Sequence, residues 1–163
     1  MSAILELLRG HEVRRFAGGE VVLREGEATG HLLFLIDGAV EVMKDNVPVA
    51  TTSEPGVVFG EMAALLGGNH TATVRAASPC AFYLVKNPRE FLQATPPVCL
   101  HVCELLARRL DALSKYLVDV KQQFEGHDHL GMVDEVLETL LHRQPRARIR
   151  PKESTIRHGE LPD

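Results

Sequence analysis

Between positions 13 and 86 the apolar residues fall into short runs, each cut off by glycine or by acidic turn residues. The runs at 13–16, 20–24, 31–36, 39–44, 49–52, 57–59, 73–77 and 81–85 read as strands. Many short strands at near-regular spacing, separated by turn signals, predict a β-sandwich or jelly roll. Gly19, Gly26, Gly38 and Gly60 stand at the joints between them, where a positive φ or a tight turn is cheap for a residue without Cβ.

On either side the period lengthens to that of helices. Residues 2–9 carry Ile4, Leu7 and Leu8 on one face and close at Gly10, a short helix with a glycine stop. Asn87-Pro88-Arg89-Glu90 has the N-cap, first-turn proline and third-position glutamate of a helix start. The helix 88–94 then meets Pro96-Pro97, which predicts a break. A long helix follows over 98–124. Its apolar positions Cys103, Leu106, Leu110, Leu113, Leu117, Val120 and Phe124 alternate by three and four, a heptad seam. Gly126 ends it. Asp128 is placed to cap a last helix, 129–143, whose Met132, Val133, Val136, Leu137, Leu140 and Leu141 share a face. Beyond Pro145 no periodicity survives, and a partly disordered tail is expected.

Length and composition fit one domain with appendages. The 163 residues are 45% hydrophobic and lack tryptophan, so the core is mostly aliphatic. A net charge of −4 argues against a surface devoted to nucleic acid. No apolar run approaches the roughly 18–20 residues of a membrane span, and the N-terminus does not read as a secretory signal. Three cysteines, an odd number, suit a reducing compartment. A cytoplasmic protein is the expectation.

The most informative stretch is Phe59-Gly60-Glu61-Met62-Ala63-Ala64-Leu65-Leu66-Gly67-Gly68-Asn69-His70-Thr71-Ala72-Thr73-Val74-Arg75-Ala76. A Gly-Glu turn opens a short apolar helix, a two-glycine loop follows, and an Ala-Thr-Val strand begins. Exposed amides at such a turn suit an anion, whereas the carboxylate suits hydroxyls, so together they suit a sugar phosphate. This stretch resembles the phosphate-binding cassette of the cyclic nucleotide-binding domain family. The runs Phe16-Ala17-Gly18-Gly19-Glu20, Arg24-Glu25-Gly26-Glu27 and Leu33-Phe34-Leu35-Ile36-Asp37-Gly38-Ala39-Val40-Glu41-Val42 extend the resemblance over about residues 10–120. It implies an eight-stranded jelly-roll β-barrel flanked by an N-terminal helix, a long C-terminal helix and one further helix. The expected organisation is a cyclic nucleotide-binding-like domain over 1–126 with its long helix at 98–124. A C-terminal amphipathic segment at 127–144 and a basic or polar tail at 145–163 complete it.

In that family the glutamate binds the ribose 2′-hydroxyl, an arginine pairs with the phosphate oxygens, and cassette amides complete the anion site. Carried across by position, Glu61 matches the glutamate, and Phe59, Gly60, Met62 and Ala63 form the turn and its amides. Thr71 offers a hydroxyl, Ala72 and Val74 line a wall, and Leu65 and Leu66 pack the short helix. His70 stands where the arginine is usual. Losing one partner of a buried charged pair costs about 2–5 kcal/mol, roughly thirtyfold to several-thousandfold in affinity. Protonated histidine, with a reference pKa of ~6.5, supplies part of that charge. Three readings stay open: a pH-dependent phosphate partner, a different ligand, or a cassette without ligand.

The expected function is a sensor that binds cAMP or cGMP and couples occupancy to the packing of its C-terminal helices. The other reading is a ligand-free interaction or dimerisation module, and a small cupin-like enzyme is a distant third. A helix of about 25 residues spans ~37 Å, more than one small barrel covers, which favours a homodimer. Tyr116 near the seam is a candidate to cap a base, though an exposed tyrosine is the expected case. Relatives that bind DNA add a helix-turn-helix module after the long helix, and none is evident here; an effector protein is a possible partner for the last helix. The basic run from His142 to Lys152 reads as a solvated tail. Cys99 and Cys103 stand one turn apart and read as buried small hydrophobes, too few for a closed zinc site. His127-Asp128-His129 reads as a turn and cap. No nucleophile elbow, Walker loop or dinucleotide fingerprint is present, so no catalysis, cofactor or metal is expected.

Overall fold

The computed structural model describes residues 3–124 and 131–142. The expectations placed on Gly126, on the Asp128 cap, on His127-Asp128-His129 and on the tail 145–163 lie outside the described residues. By packing, the chain divides into two compact units, residues 1–108 and 109–163, the boundary falling inside the long helix.

Unit one begins with helix α1 (Ala3–Leu7), followed by strands β1 (Glu12–Phe16), β2 (Val21–Leu23), β3 (Leu32–Asp37), β4 (Val40–Lys44), β5 (Val47–Thr52) and β6 (Val58–Phe59). Helix α2 (Glu61–Leu66), strands β7 (Thr73–Ala76) and β8 (Cys80–Val85), and helices α3 (Pro88–Ala94) and α4 (Pro96–Gln123) complete the series. All eight strands fall where the hydrophobic runs put them, within two residues at each end. They form two antiparallel four-stranded sheets in the orders β1-β8-β3-β6 and β2-β7-β4-β5. This is the jelly roll, with the two sheets packed face to face rather than laddered into a closed barrel. β5 starts earlier than expected because Asp45 and Asn46 take φ of 49° and 62°. That two-residue turn matches the strand twist and lets Lys44 pair with Val47.

The uninterrupted run Leu32-Leu33-Phe34-Leu35 explains how the core is organised. Strand side chains alternate between faces, and all four of these are buried, so β3 is covered on both sides. Leu33 and Leu35 face the inter-sheet core with Leu23, Val40, Phe59, Val74, Phe82 and Leu84. There Phe82 takes Phe16 and Phe59 edge-on at 5.8 and 6.1 Å. Leu32 and Phe34 face the other way, onto Leu5 and Leu8 of the N-terminal segment, Leu92 of α3, and Val98 and Val102 of α4.

Several helix details differ from expectation. Leu5, not Leu7, joins Leu8 in the core, and Leu7 is exposed. Asn87 makes no side-chain cap bond; its carbonyl instead accepts from the Phe91 amide at 3.0 Å. Pro96-Pro97 begins α4 rather than preceding it. Proline suits the first helical turn because those amides lack intrahelical acceptors. Only Thr95 separates α3 from α4, and its carbonyl receives the Val98 and Cys99 amides at 3.0 and 3.1 Å. Of the two cysteines on α4, Cys99 is half-buried and Cys103 exposed, so only the first acts as a packed hydrophobe.

In unit two, α5 (Gly131–His142) buries Leu137 and leaves Val133, Val136 and Leu140 half-covered. Met132 is exposed and does not belong to that face. Lys121 and Asp134 form an ion pair within this unit. Along the seam of α4, Leu110, Leu113 and Phe124 are exposed. No described helix is long and apolar enough to cross a membrane.

Candidate functional site

The predicted cassette folds as one continuous corner, from β6 through Gly60 and α2 to β7. Gly60 takes φ 84°, and a Cβ built there would lie 2.6 Å from the His31 carbonyl oxygen. Both the left-handed backbone and the close approach require glycine. The corner turns Glu61 inward, where the residue is only 5% exposed. Burial of a charged residue type to that degree is uncommon and marks a position with a specific task. Phe59 and Ala63 are buried, whereas Met62 is 40% exposed. The first helical bond runs from the Ala64 amide to the Gly60 carbonyl at 3.0 Å, so the amides of Met62 and Ala63 precede the helical ladder.

Of the two leucines expected to pack α2, Leu65 does so, against the helix-side core. Leu66 is 76% exposed and outside the core, because six residues of helix present only one covered face. Arg89 of α3 donates to the Leu65 carbonyl at 2.7 Å, which ties down the end of α2.

His70, in the arginine position, lies inside the structure. It is 4% exposed, and its Nε2 sits 2.8 Å from Thr29 Oγ1. Its amide donates to the Glu27 carbonyl at 2.8 Å, and its carbonyl accepts from the Gly26 amide at 2.9 Å. The β2–β3 loop thus clamps His70 through both backbone groups and the ring. Its Cε1 would be 3.6 Å from a Cβ on Gly60, so imidazole and Glu61 corner are neighbours. Burial pushes the imidazole pKa down; Glu27 and Glu61 pull it up and His31 opposes them. The net direction is downward, so the ring is held neutral near pH 7.

The rest of the predicted wall is partly assembled. Val74 is buried in the inter-sheet core and Ala72 is half-buried. Thr71 is exposed, and its carbonyl accepts a hydrogen bond from Lys44 Nζ at 2.6 Å. Lys44 also reaches Glu25 Oε1 at 2.8 Å, and Glu25 Oε2 accepts from the Asp45 amide at 3.0 Å. Thr29, Glu25 and Lys44 were not among the expected site residues. Lys44 was accessible to the period-2 rule, as it follows Val40 and Val42 on their face; Thr29 and Glu25 gave no local signal.

Chemically, the corner offers one buried carboxylate, one neutral imidazole and two amides near a glycine turn. Among the described residues no three His, Cys, Asp or Glu side chains are placed to hold a metal. A groove of about 460 Å3 lies elsewhere, lined in part by His11, Glu12, Lys86 and Phe91. No cassette residue lines it, and the converging polar groups favour the cassette.

The cyclic nucleotide-binding domain profile matches residues 13–94. The cAMP-dependent protein kinase regulatory subunit of Yarrowia lipolytica is 32% identical over 81 residues, 50% of this chain and 21% of that protein. The cAMP-activated global transcriptional regulator CRP of Pasteurella multocida is 27% identical over 157 residues, 90% of this chain and 72% of that one. Among solved structures, cAMP-bound PfPKA-R aligns with TM-score 0.53 at 27% identity, over 67% of this chain and 36% of its own. The chain therefore spans about a fifth of the kinase subunit and a third of the PfPKA-R chain.

Proposed function

The chain belongs to the cyclic nucleotide-binding domain family, and on that premise we propose that its cassette binds cAMP or cGMP as a non-catalytic sensor. The observation that carries this reading is Glu61, 5% exposed and turned inward by a glycine for which no other residue substitutes without a clash. A carboxylate there accepts hydrogen bonds from ribose hydroxyls. The Met62 and Ala63 amides donate towards the phosphate, and His70 and Thr71 stand at its far side. Ala72 and Val74 supply the apolar wall for the base.

The regulatory output is read from the C-terminal helices. Exposed Leu110 and Leu113 on α4, with exposed Phe124 just past its end, support a homodimer seam, with α5 as a lid or as a docking element for an effector protein. A module of this kind operates in the cytoplasm. One observation favours a second reading, a ligand-free assembly module. His70 is engaged by the protein's own Thr29 and its pKa is lowered by burial, so the arginine position carries no fixed charge.

Titration calorimetry with cAMP and with cGMP at pH 6 and pH 7.5 decides between them. Heat that is weakened by Glu61→Ala supports the sensor. Silence from the wild type at millimolar ligand, with binding gained in His70→Arg, establishes the ligand-free module.

A further inference from the structure

A phosphodiester needs a positive partner, and His70 does not supply a fixed one. The register of β4 against β7 shows where another cation stands. Val40 pairs with Ala76, Glu41 with Arg75, Val42 with Val74 and Met43 with Thr73, and Lys44 is the next and last residue of β4. Alternation then assigns faces. Val40 and Val42 belong to the inter-sheet core, and Glu41 meets Arg75 on the opposite face. Lys44 consequently follows the inner-face side of β4 at its rim, with its side chain 51% exposed. Arg24, just past β2, is 3.6 Å from Glu27. Among the described residues of β4 and β7, Lys44 is thus the basic residue on the inner-face side.

Its ammonium ends 2.6 Å from the carbonyl of Thr71, one residue past His70. Glu25 holds it there at 2.8 Å, and that contact keeps the lysine pKa up and the Glu25 pKa down. Glu25 is itself tethered by its amide, which donates to Thr73 Oγ1 at 3.0 Å, and by its acceptance from Asp45. The carboxylate is fixed by backbone and the lysine is fixed only by its head group. A four-carbon stem with rotatable donors allows the ammonium to leave Thr71 for an anion in the cassette.

We propose that Lys44, parked between Glu25 and the Thr71 carbonyl, is the cation that meets the ligand's phosphate in place of a cassette arginine. Glu25 competes with the phosphate for it. The assignment rests on the cyclic-nucleotide reading above and names the charge that reading lacks.

The two carboxylate–ammonium partners give opposite signs on removal, which a merely structural ion pair does not. With cAMP as titrant, Lys44→Gln should weaken binding roughly ten- to hundredfold, the worth of one charge-assisted hydrogen bond. Glu25→Gln should tighten it, by about threefold to tenfold on the same scale, and Lys44→Arg should restore wild-type affinity. Urea midpoints of each variant separate binding from folding. Wild-type affinity in a folded Lys44→Gln, or loss of affinity in a folded Glu25→Gln, overturns the role of Lys44 and leaves the nucleotide reading standing. No heat from the wild type overturns both.

Discussion

Gly60 is the hinge of the cassette, and replacing it by alanine tests whether the corner is built as described. Two separate costs arise. The first is conformational: at φ 84° a Cβ-bearing residue loses about 1–2 kcal/mol. The second is steric: the new methyl would sit 2.6 Å from the His31 carbonyl oxygen, a backbone atom at the head of β3 that cannot rotate away. Forcing such a contact apart costs a further ~1–3 kcal/mol. Gly26 provides the control. It has the same φ of 84°, but a Cβ there meets nothing within 4 Å.

Gly26→Ala should therefore lose about 1–2 kcal/mol and Gly60→Ala about 2–5 kcal/mol. In a domain of this size that difference separates the melting temperatures by several degrees, at roughly 4 °C per kcal/mol. The protein has no tryptophan, so urea unfolding followed by far-UV circular dichroism is the suitable assay, with equal m-values as the check on a common transition. Gly60→Ala falling within about 0.5 kcal/mol of Gly26→Ala, the usual range of an inconsequential substitution, would refute the close approach to His31. The inward turn of Glu61 would lose its stated cause.

Two further outcomes are expected. Burial holds the folded His70 pKa below that of a free imidazole, ~6.5, so its contribution to stability is complete above that pH. It declines as the pH falls towards and through the lower folded value, because the unfolded chain binds the proton first. Urea midpoints from pH 7.5 to 5.5 should consequently fall less steeply in His70→Gln than in the wild type; parallel slopes refute the buried neutral ring. For the α4 seam, Leu110→Glu with Leu117→Glu should halve the mass measured by light scattering, and a wild type that is already monomeric removes the dimer.

The strands were legible because their signals are local. Period-2 runs and the residues between them lie within one element and its turn, and all eight appeared. So did the glycine–glutamate corner, since a turn that demands Gly60 announces itself beside Glu61. The helix 88–94 was legible too, although Asn87 opens it through its carbonyl rather than its side chain. Pro96-Pro97 misled because a proline pair breaks one helix and begins another equally well, and only packing on Val98 and Val102 settles which.

The local chain also placed His70 in the arginine position, but nothing local says where a histidine points. Its inward seat is decided by Gly26, Glu27 and Thr29, more than forty residues earlier in the chain. The same holds for Lys44 at the Thr71 carbonyl, and for Leu66, whose apolar character promised a contact that a six-residue helix does not reach. Spacing along the sequence fixes the pleat and the turn because both are made by neighbouring residues. The charge state and reach of the site are set by groups that meet only after two sheets have closed on one another.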